Sequence, residues 1–402
     1  MKTSSGQLTY CTNIHAGRNW QEDFQQLKTH FPAVKAAVAD GVPMGIGLRL
    51  SNVASLQLTD ATTLEHFKQW LQDNQSYVFT MNGFPYGDFH HTVVKASVHS
   101  PDWTTAERKM YTLRLVDILA KLLPDGMEGG ISTSPLSYRH WFKTTETLNK
   151  AVKKATLNIV DIICYLVNLN LKTGKVIHLD LEPEPDGVLE TGQEFMEWYV
   201  QHLLPAGIPI LVSAFKLSEA AAASLIKKHL CLCYDVCHFS IGFEDHAKVL
   251  VQLKELGLRV GKIQISAALK ARLNGNDSRQ QIKESLKQFD EPTYLHQVVA
   301  KDNDGRLHRY QDLKVALDEF EDRSLEEWRA HFHVPISTGH FGHLQSTQED
   351  ILTVLDIQKR MPFTNHLEVE TYTWEVLPEG LKVPIAESIT KELQWVIKNG
   401  IQ

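Results

Sequence analysis

The sequence predicts an α/β fold in the form of a closed (β/α)8 barrel, and three observations predict it. Short β-like runs alternate with amphipathic helical segments along almost the whole chain. The length, 402 residues, suits one large barrel with insertions. Three of the β-like runs carry ionisable residues at every second position. The runs are LTYCTNI (8–14), MGIGLRLS (44–51), YVFTMN (77–82), EGGISTSP (128–135), KVIHLDLEP (175–183), HLCLCYDV (229–236), GKIQIS (261–266) and HLEVETYT (366–373). Between them apolar residues recur at three- and four-residue steps, as at Trp20, Phe24, Leu27, Phe31 and Val34, and at Val249, Leu250, Leu253 and Leu256. Gly174 reads as a helix stop, and Thr104–Thr105 and Ser346–Thr347, each followed by acidic residues, read as helix starts. Repeated β-then-α units imply a parallel sheet, and eight of them imply closure.

Two further runs, YLHQVVA (294–300) and AHFHVPI (330–336), exceed that count. The first, followed by KDNDG and LHRYQDL, reads as a β-hairpin turning at Asn303–Asp304–Gly305. This hairpin and AHFHVPI form an expected insertion, about 290–345, before the last strand. No low-complexity tract or flexible linker separates two halves, so one domain is expected over 1–402.

With 43% hydrophobic and 22% charged residues the composition is that of an ordinary globular protein. A net charge of −7 supplies no basic field for nucleic acid or anionic lipid. No run of 18 apolar residues is present, so no transmembrane segment is expected. MKTSSGQLTY lacks the apolar core of a signal peptide, which makes the cytoplasm the expected compartment. Five cysteines are odd in number and too sparse for a disulfide scaffold. Cys231, Cys233 and Cys237 have no second pair at zinc-site spacing and read as small buried strand residues.

The most informative feature is polarity inside strands. Parallel strands covered on both faces should be nearly continuous Val, Ile and Leu. KVIHLDLEP instead sets His178, Asp180 and Glu182 on one face against Ile177, Leu179 and Leu181. HLEVETYTW sets His366, Glu368 and Glu370 against Leu367 and Val369, and HFHVPI sets His331 and His333 against Phe332 and Val334. In a barrel the polar face turns inward. A buried carboxylate without a partner costs several kcal/mol or loses its charge. Few lysines or arginines share these faces, so a bound metal is a natural counter-charge. Asp235, ending an apolar strand, is followed three residues later by His238, and such a pair can reach one centre.

Glu182–Pro183 ending one strand, Asp235-x-x-His238 ending the next and Glu368/Glu370 in the last resemble the xylose isomerase-like barrels. That superfamily holds sugar isomerases, keto-sugar epimerases, inosose dehydratases and apurinic endonucleases. Longer segments resemble one branch, the EboE family of metabolite-traffic proteins: TYCTNIHAG (9–17), NGFPYGDFH (82–90), PDW (101–103), HLDLEPEPDGVLE (178–190), CYDVCH (233–238), FHVPI (332–336) and HLEVETYTWEVLP (366–378). The resemblance spans nearly the full chain. It implies that Glu182 binds a divalent metal and moves a proton, that Asp235 is a metal ligand and that His238 orients substrate oxygens. It makes Glu370 the second acid/base group and a ligand, with Glu368 on the same face as the alternative. Gln264 stands where the superfamily has a histidine ligand. A glutamine carbonyl binds Mg²⁺ or Mn²⁺ weakly; otherwise His296, His331 or His333 completes the shell. The implied cofactor is Mn, Mg or Zn, and the implied partner is a polar small metabolite, alongside other proteins of the same pathway.

Each of these residues also has a plainer reading. Glu182 can be an ion-paired structural carboxylate. His15 and Asn82 can line the barrel mouth and bind substrate or simply cap helices. Trp374, Phe84 and Tyr86 can wall a larger ring. His90–His91 reads as a solvated loop pair, His178 and Asp180 as a deeper hydrogen-bond network, and Glu184 and Asp186 as loop residues. Trp20, Trp70, Trp103 and Trp395 read as helix-face packing. Three functions follow in order: a metal-dependent isomerase, epimerase or lyase; a metabolite-binding barrel without turnover; and a metal phosphoesterase on abasic DNA, disfavoured by the acidic charge balance.

Overall fold

The computed structural model describes residues 1–275 and 277–400. Its strands in chain order begin with β1 (Lys2–Thr3), β2 (Gly6–Tyr10), β3 (Met44–Arg49), β4 (Ser76–Asn82), β5 (Gly129–Thr133), β6 (Ile177–Leu181), β7 (Leu230–Asp235) and β8 (Val260–Ile265). After these come β9 (Leu269–Arg272), β10 (Val298–Asp302), β11 (Leu307–Tyr310), β12 (Leu325–Ala330), β13 (His340–Phe341), β14 (Leu344–Ser346) and β15 (His366–Val369).

A nine-stranded sheet runs in the order β1-β2-β15-β8-β7-β6-β5-β4-β3. Every pairing from β2 round to β3 is parallel, and only the short β1 is antiparallel. The ends of the parallel run meet. Cys11 bridges Gly47, while Thr9 Oγ1 donates to Gly45 O at 2.8 Å and accepts from Gly47 N at 3.1 Å. The sheet is therefore a nearly closed barrel, and each of the eight β-like runs overlaps one of its parallel strands. Strands β3, β7 and β8 are buried along their whole length, as expected when helices cover one face and the barrel interior the other.

Local signals explain the helix ends. Gly174 closes helix Thr145–Thr173 at φ +74°, a left-handed conformation that suits glycine, with its N–H on Asn170 O. Thr105 caps helix Ala106–Leu122 through Arg108 N. Thr347 behaves differently. It precedes helix Gln348–Arg360, but its hydroxyl accepts from Ala268 N at 2.9 Å instead of capping. The helical stretch Gly192–Phe215 is long and apolar enough, by length and composition alone, to cross a membrane. Here it lies against helices Thr145–Thr173 and Glu219–His229.

Between β8 and β15 the chain builds a second, six-stranded antiparallel sheet, β11-β10-β12-β9-β14-β13. It begins at Leu269, earlier than the expected 290. Within it β10 and β11 pair across Gly305, at φ +80°. AHFHVPI is not a strand, contrary to its alternating pattern: β12 stops at Ala330 and 331–336 is irregular. Phe332 N donates to Ala330 O and Val334 N to Phe332 O, both at 2.8 Å, which coils the segment in tight i→i+2 turns. Pro335 then removes a donor that a ladder would need.

The barrel interior is charged at mid-height. Lys262 Nζ donates to Glu368 Oε2 at 2.6 Å, with both side chains fully buried. Burial works most strongly against the ammonium, but the Glu368 carboxylate together with Cys233 and Cys11 outweighs it and pushes the lysine pKa up. Gly47 makes room, since a Cβ there would sit 1.7 Å from Glu368 Oε1. A buried cation on the strand faces thus neutralises one of the carboxylates that the sequence pattern left uncompensated.

Glu392, on the last helix (Ile385–Gly400), ties two distant segments to that helix. One oxygen accepts from Ile336 N at 2.9 Å and from Thr371 Oγ1 at 2.7 Å, and the other has no partner. Burial pushes its pKa from 4.5 up to about 7. Because the folded-state value is raised, stability is greatest below the unfolded pKa and falls as pH rises through about 7. Glu392→Gln keeps an acceptor but cannot ionise. Its urea midpoint should therefore gain on wild type between pH 5 and pH 8, by roughly 3 kcal/mol when converted to stability. Parallel pH profiles for the two proteins would refute this.

Candidate metal centre and cavity

The centre is assembled at the C-terminal ends of the barrel strands. Glu182 follows β6, and its N–H continues the ladder to Thr133 O. Glu370 follows β15 in the same way, bonding to Ile265 O. Asp235 ends β7 and caps helix Val236–Ile241, so that its Oδ1 accepts from His238 N at 3.1 Å and from Ser266 Oγ at 2.7 Å. The D-x-x-H spacing is thus a helix cap that also carries His238 to the rim. One oxygen from each of Glu182, Asp235 and Glu370 lies within 4.8 Å of the other two, and all three residues are at most 3% exposed.

Glu370 is held by amides. Its Oε1 accepts from Asn13 at 2.8 Å, Asn82 at 2.9 Å and Gln264 at 3.2 Å, while Oε2 faces His333 Nδ1 at 3.5 Å. Gln264 therefore offers its NH₂ to Glu370, which leaves its oxygen without a partner. Glu182 Oε2, Asp235 Oδ2 and both nitrogens of His333 also lack hydrogen-bond partners. Buried polar atoms are normally satisfied, and these orphaned ones belong to a set of O and N donors suited to a divalent cation. The residues fit a metal.

Electrostatics agree. Burial, and next the Asp235 charge, push Glu182 well above the usual carboxylate range. Burial and then Glu182 and Asp235 do the same to Glu370. Burial opposes the Asp235 charge too, but His238, His333 and the Ser266 hydroxyl hold it below its ordinary value.

A second polar group adjoins the carboxylates. His238 Nδ1 donates to Pro183 O at 3.0 Å, so its Nε2 carries a lone pair. Gln297 Nε2 donates to Pro185 O, so its oxygen faces His331 Nδ1 at 2.8 Å and leaves His331 Nε2 bare as well. The two Nε2 atoms are 3.1 Å apart. That contact is repulsive unless a proton or a cation lies between them. Burial holds His331 well below the ordinary imidazole range and lowers His238.

The predicted site residues divide. Glu182, Asp235, Glu370, Gln264, His238, His333 and Asn82 converge on the centre. Glu368 does not join them, because Lys262 claims it. His296 has no free nitrogen: one lies 2.7 Å from Glu291 Oε1 and the other 2.7 Å from His331 O. His15 bonds Tyr10 and stacks on His30, lining a separate small pocket with Asp23 and Arg49. Trp374 donates to Val383 O and lines a different pocket, beside His91. Tyr86 packs on Tyr111, not in the cavity. His178 and Asp180 bond each other lower in the barrel, and His178 borders a pocket with Arg259 and His366. His90 is buried, bonded to Asn13 O and Tyr294, while His91 is exposed. Glu184 is not a solvated loop residue. It is 6% exposed, lines the cavity and has His99 Nε2 3.0 Å from its Oε1.

Residues that the sequence reading did not assign to the isomerase-type site also contribute. Asn13, His99, Gln297, Tyr294 and Tyr372 line the cavity, which has about 570 Å³ of empty space including its mouth. Asn13, His99 and Tyr372 sit in short 3-10 helices and Tyr294 and Gln297 just before β10, where no strand or α-helix periodicity marks which way a side chain points.

No protein-family model and no curated protein matches the chain. Several solved structures are similar. One described as an IolI protein with a bound zinc atom is 13% identical with a TM-score of 0.48, covering 98% of this chain and 97% of that one. A xylose isomerase-like TIM barrel protein from Mycobacterium smegmatis in complex with magnesium is 9% identical with a TM-score of 0.49, covering 98% and 96%. The probable 3-DHS dehydratase AsbF from Bacillus anthracis is 11% identical with a TM-score of 0.44, covering 98% and 99%. Likenesses this distant leave the chain's chemistry to its own residues.

Proposed function

We propose that the chain is a single xylose isomerase-like (β/α)8 domain that binds a divalent cation and acts as an isomerase or epimerase on a small metabolite with adjacent oxygens. The observation that carries this reading is the buried triad Glu182, Asp235 and Glu370, whose oxygens converge within 4.8 Å, with Glu182 Oε2 and Asp235 Oδ2 unpartnered. Those three residues would hold the ion, with His333 and the Gln264 oxygen in reach of the same space. A bound ion would supply Lewis acidity to two neighbouring substrate oxygens. Glu182, raised by burial and next by Asp235, and Glu370, raised by burial and next by Glu182, are the groups suited to exchange a proton. The three amides on Glu370 Oε1 fix that carboxylate so that Oε2 is the oxygen free to receive or return a proton. His238 is oriented by Pro183 O with Nε2 inward, where it accepts from a substrate hydroxyl.

Manganese titration of the full chain by calorimetry tests the assignment. Wild type should take up metal near stoichiometrically, and Glu182→Ala should bind at least about tenfold more weakly, since one of three carboxylates is gone. Equal affinity in the two proteins would overturn it.

A second reading, metabolite binding without turnover, as the EboE resemblance implies, draws on Gln264. Its NH₂ is spent on Glu370, which leaves the usual histidine position without a strong ligand. A nucleic-acid phosphoesterase has least support, because Lys95 is the one cation among the cavity's described lining residues.

A further inference from the structure

We propose that the cavity selects an uncharged ligand with two adjacent oxygens at one end and a flat apolar ring system at the other, not a free sugar or a sugar phosphate. The inference rests on the cation-binding reading of the inner cluster. It adds what the outer half of the cavity recognises.

That outer half is apolar. Phe84, Phe89, Val94, Val98, Tyr294 and Tyr372 line it, drawn from the loop after β4, from the insertion and from the segment after β15. Phe89, Val94 and Tyr294 form a buried cluster separate from the main core, with Val98 and Tyr372 packed against it. The rings of Phe89, Tyr294 and Tyr372 touch pairwise, with centroids 5.1–5.2 Å apart, which makes a three-sided aromatic cap.

One of the two hydroxyls in this cap is turned away, and the other faces the polar inner end of the cavity. Tyr294 OH donates to Phe89 O at 2.9 Å and lies 3.0 Å from His90 Nδ1, so that residue offers the cavity its ring alone. Tyr372 OH points toward the histidine pair, 3.5 Å from His331 Nε2. A polyhydroxylated chain entering here would lose water from several hydroxyls without replacement partners. An aromatic face would lose nothing comparable and would gain stacking area.

A phosphate fits worse. Lys95 is the one cationic lining residue among those described, and its ammonium already bonds Asp312 Oδ2 at 2.7 Å and Glu291 O at 3.4 Å. Glu182, Glu184 and Glu370 line the same cavity. A dianion would meet like charges and no free guanidinium or ammonium.

Calorimetry on the Mn²⁺-loaded full chain under nitrogen tests this, with 2,3-dihydroxynaphthalene, catechol, D-fructose and D-fructose 6-phosphate as probes. The naphthalene diol should bind about tenfold or more tightly than catechol, which is what the apolar area of a second ring is worth. Neither sugar should displace it at tenfold excess. Val98→Asp and Leu295→Asp, at half-buried lining positions outside the buried apolar cluster, should each erase the difference between the two diols. Equal binding of the two diols, or tighter binding of either sugar, would overturn the proposal. Failure of wild type to take up Mn²⁺ would sink the cation reading separately. In that event a tenfold preference for the naphthalene diol in metal-free protein would still support the apolar assignment, and its absence would overturn that too.

Discussion

Replacing Lys262 by methionine should destabilise the protein by about 3–5 kcal/mol, because it strands the Glu368 carboxylate inside the barrel. The pair is fully buried, and Glu368 Oε1 already lacks a partner, so no other donor is at hand to compensate. Lys262→Met/Glu368→Gln should recover most of the loss, since a neutral amide can replace the carboxylate in the space that Gly47 leaves open. Urea midpoints of the two variants and wild type at pH 7 decide the matter. A single-variant cost under about 1 kcal/mol would place the pair in contact with water, contrary to its burial.

Asp235→Asn should leave the fold intact and weaken Mn²⁺ binding on the order of a hundredfold. Asparagine caps helices about as well as aspartate, and its oxygen can keep the bonds from His238 N and Ser266 Oγ. The unpartnered Oδ2 would become an NH₂, which cannot bind a cation and directs positive charge at the site. The expected loss lies at the top of the range seen for a residue acting only through a ligand, about 10–100-fold. Unchanged far-ultraviolet circular dichroism together with a collapsed metal isotherm is the expected outcome. An unaltered isotherm would remove Asp235 from the ligand set.

The barrel was legible in the chain because its signals are local. Alternation of His178, Asp180 and Glu182 with leucine and isoleucine marks an inward polar face, and in the structure that face runs from the barrel floor to the rim. The partition among those carboxylates was not legible. Glu368 and Glu370 share a face in sequence, yet one pairs with Lys262 and the other receives three amides, and that choice depends on neighbours from β8, β4 and the loop after β2. His331 and His333 misled in the opposite way. Their spacing imitates a strand, but tight turns ahead of Pro335 bring both to the cavity. His15 and Trp374 adjoin the right strands, and their own hydrogen bonds carry them elsewhere.

Crystals of the full chain grown with Mn²⁺, with diffraction measured where manganese scatters anomalously, test most directly whether charged side chains from separate strands share one ion. The account predicts an anomalous peak at about 2.1–2.3 Å from an oxygen of each of Glu182, Asp235 and Glu370. An occupied ion elsewhere, with water molecules and protonated carboxyl groups filling the space between those three, would contradict it.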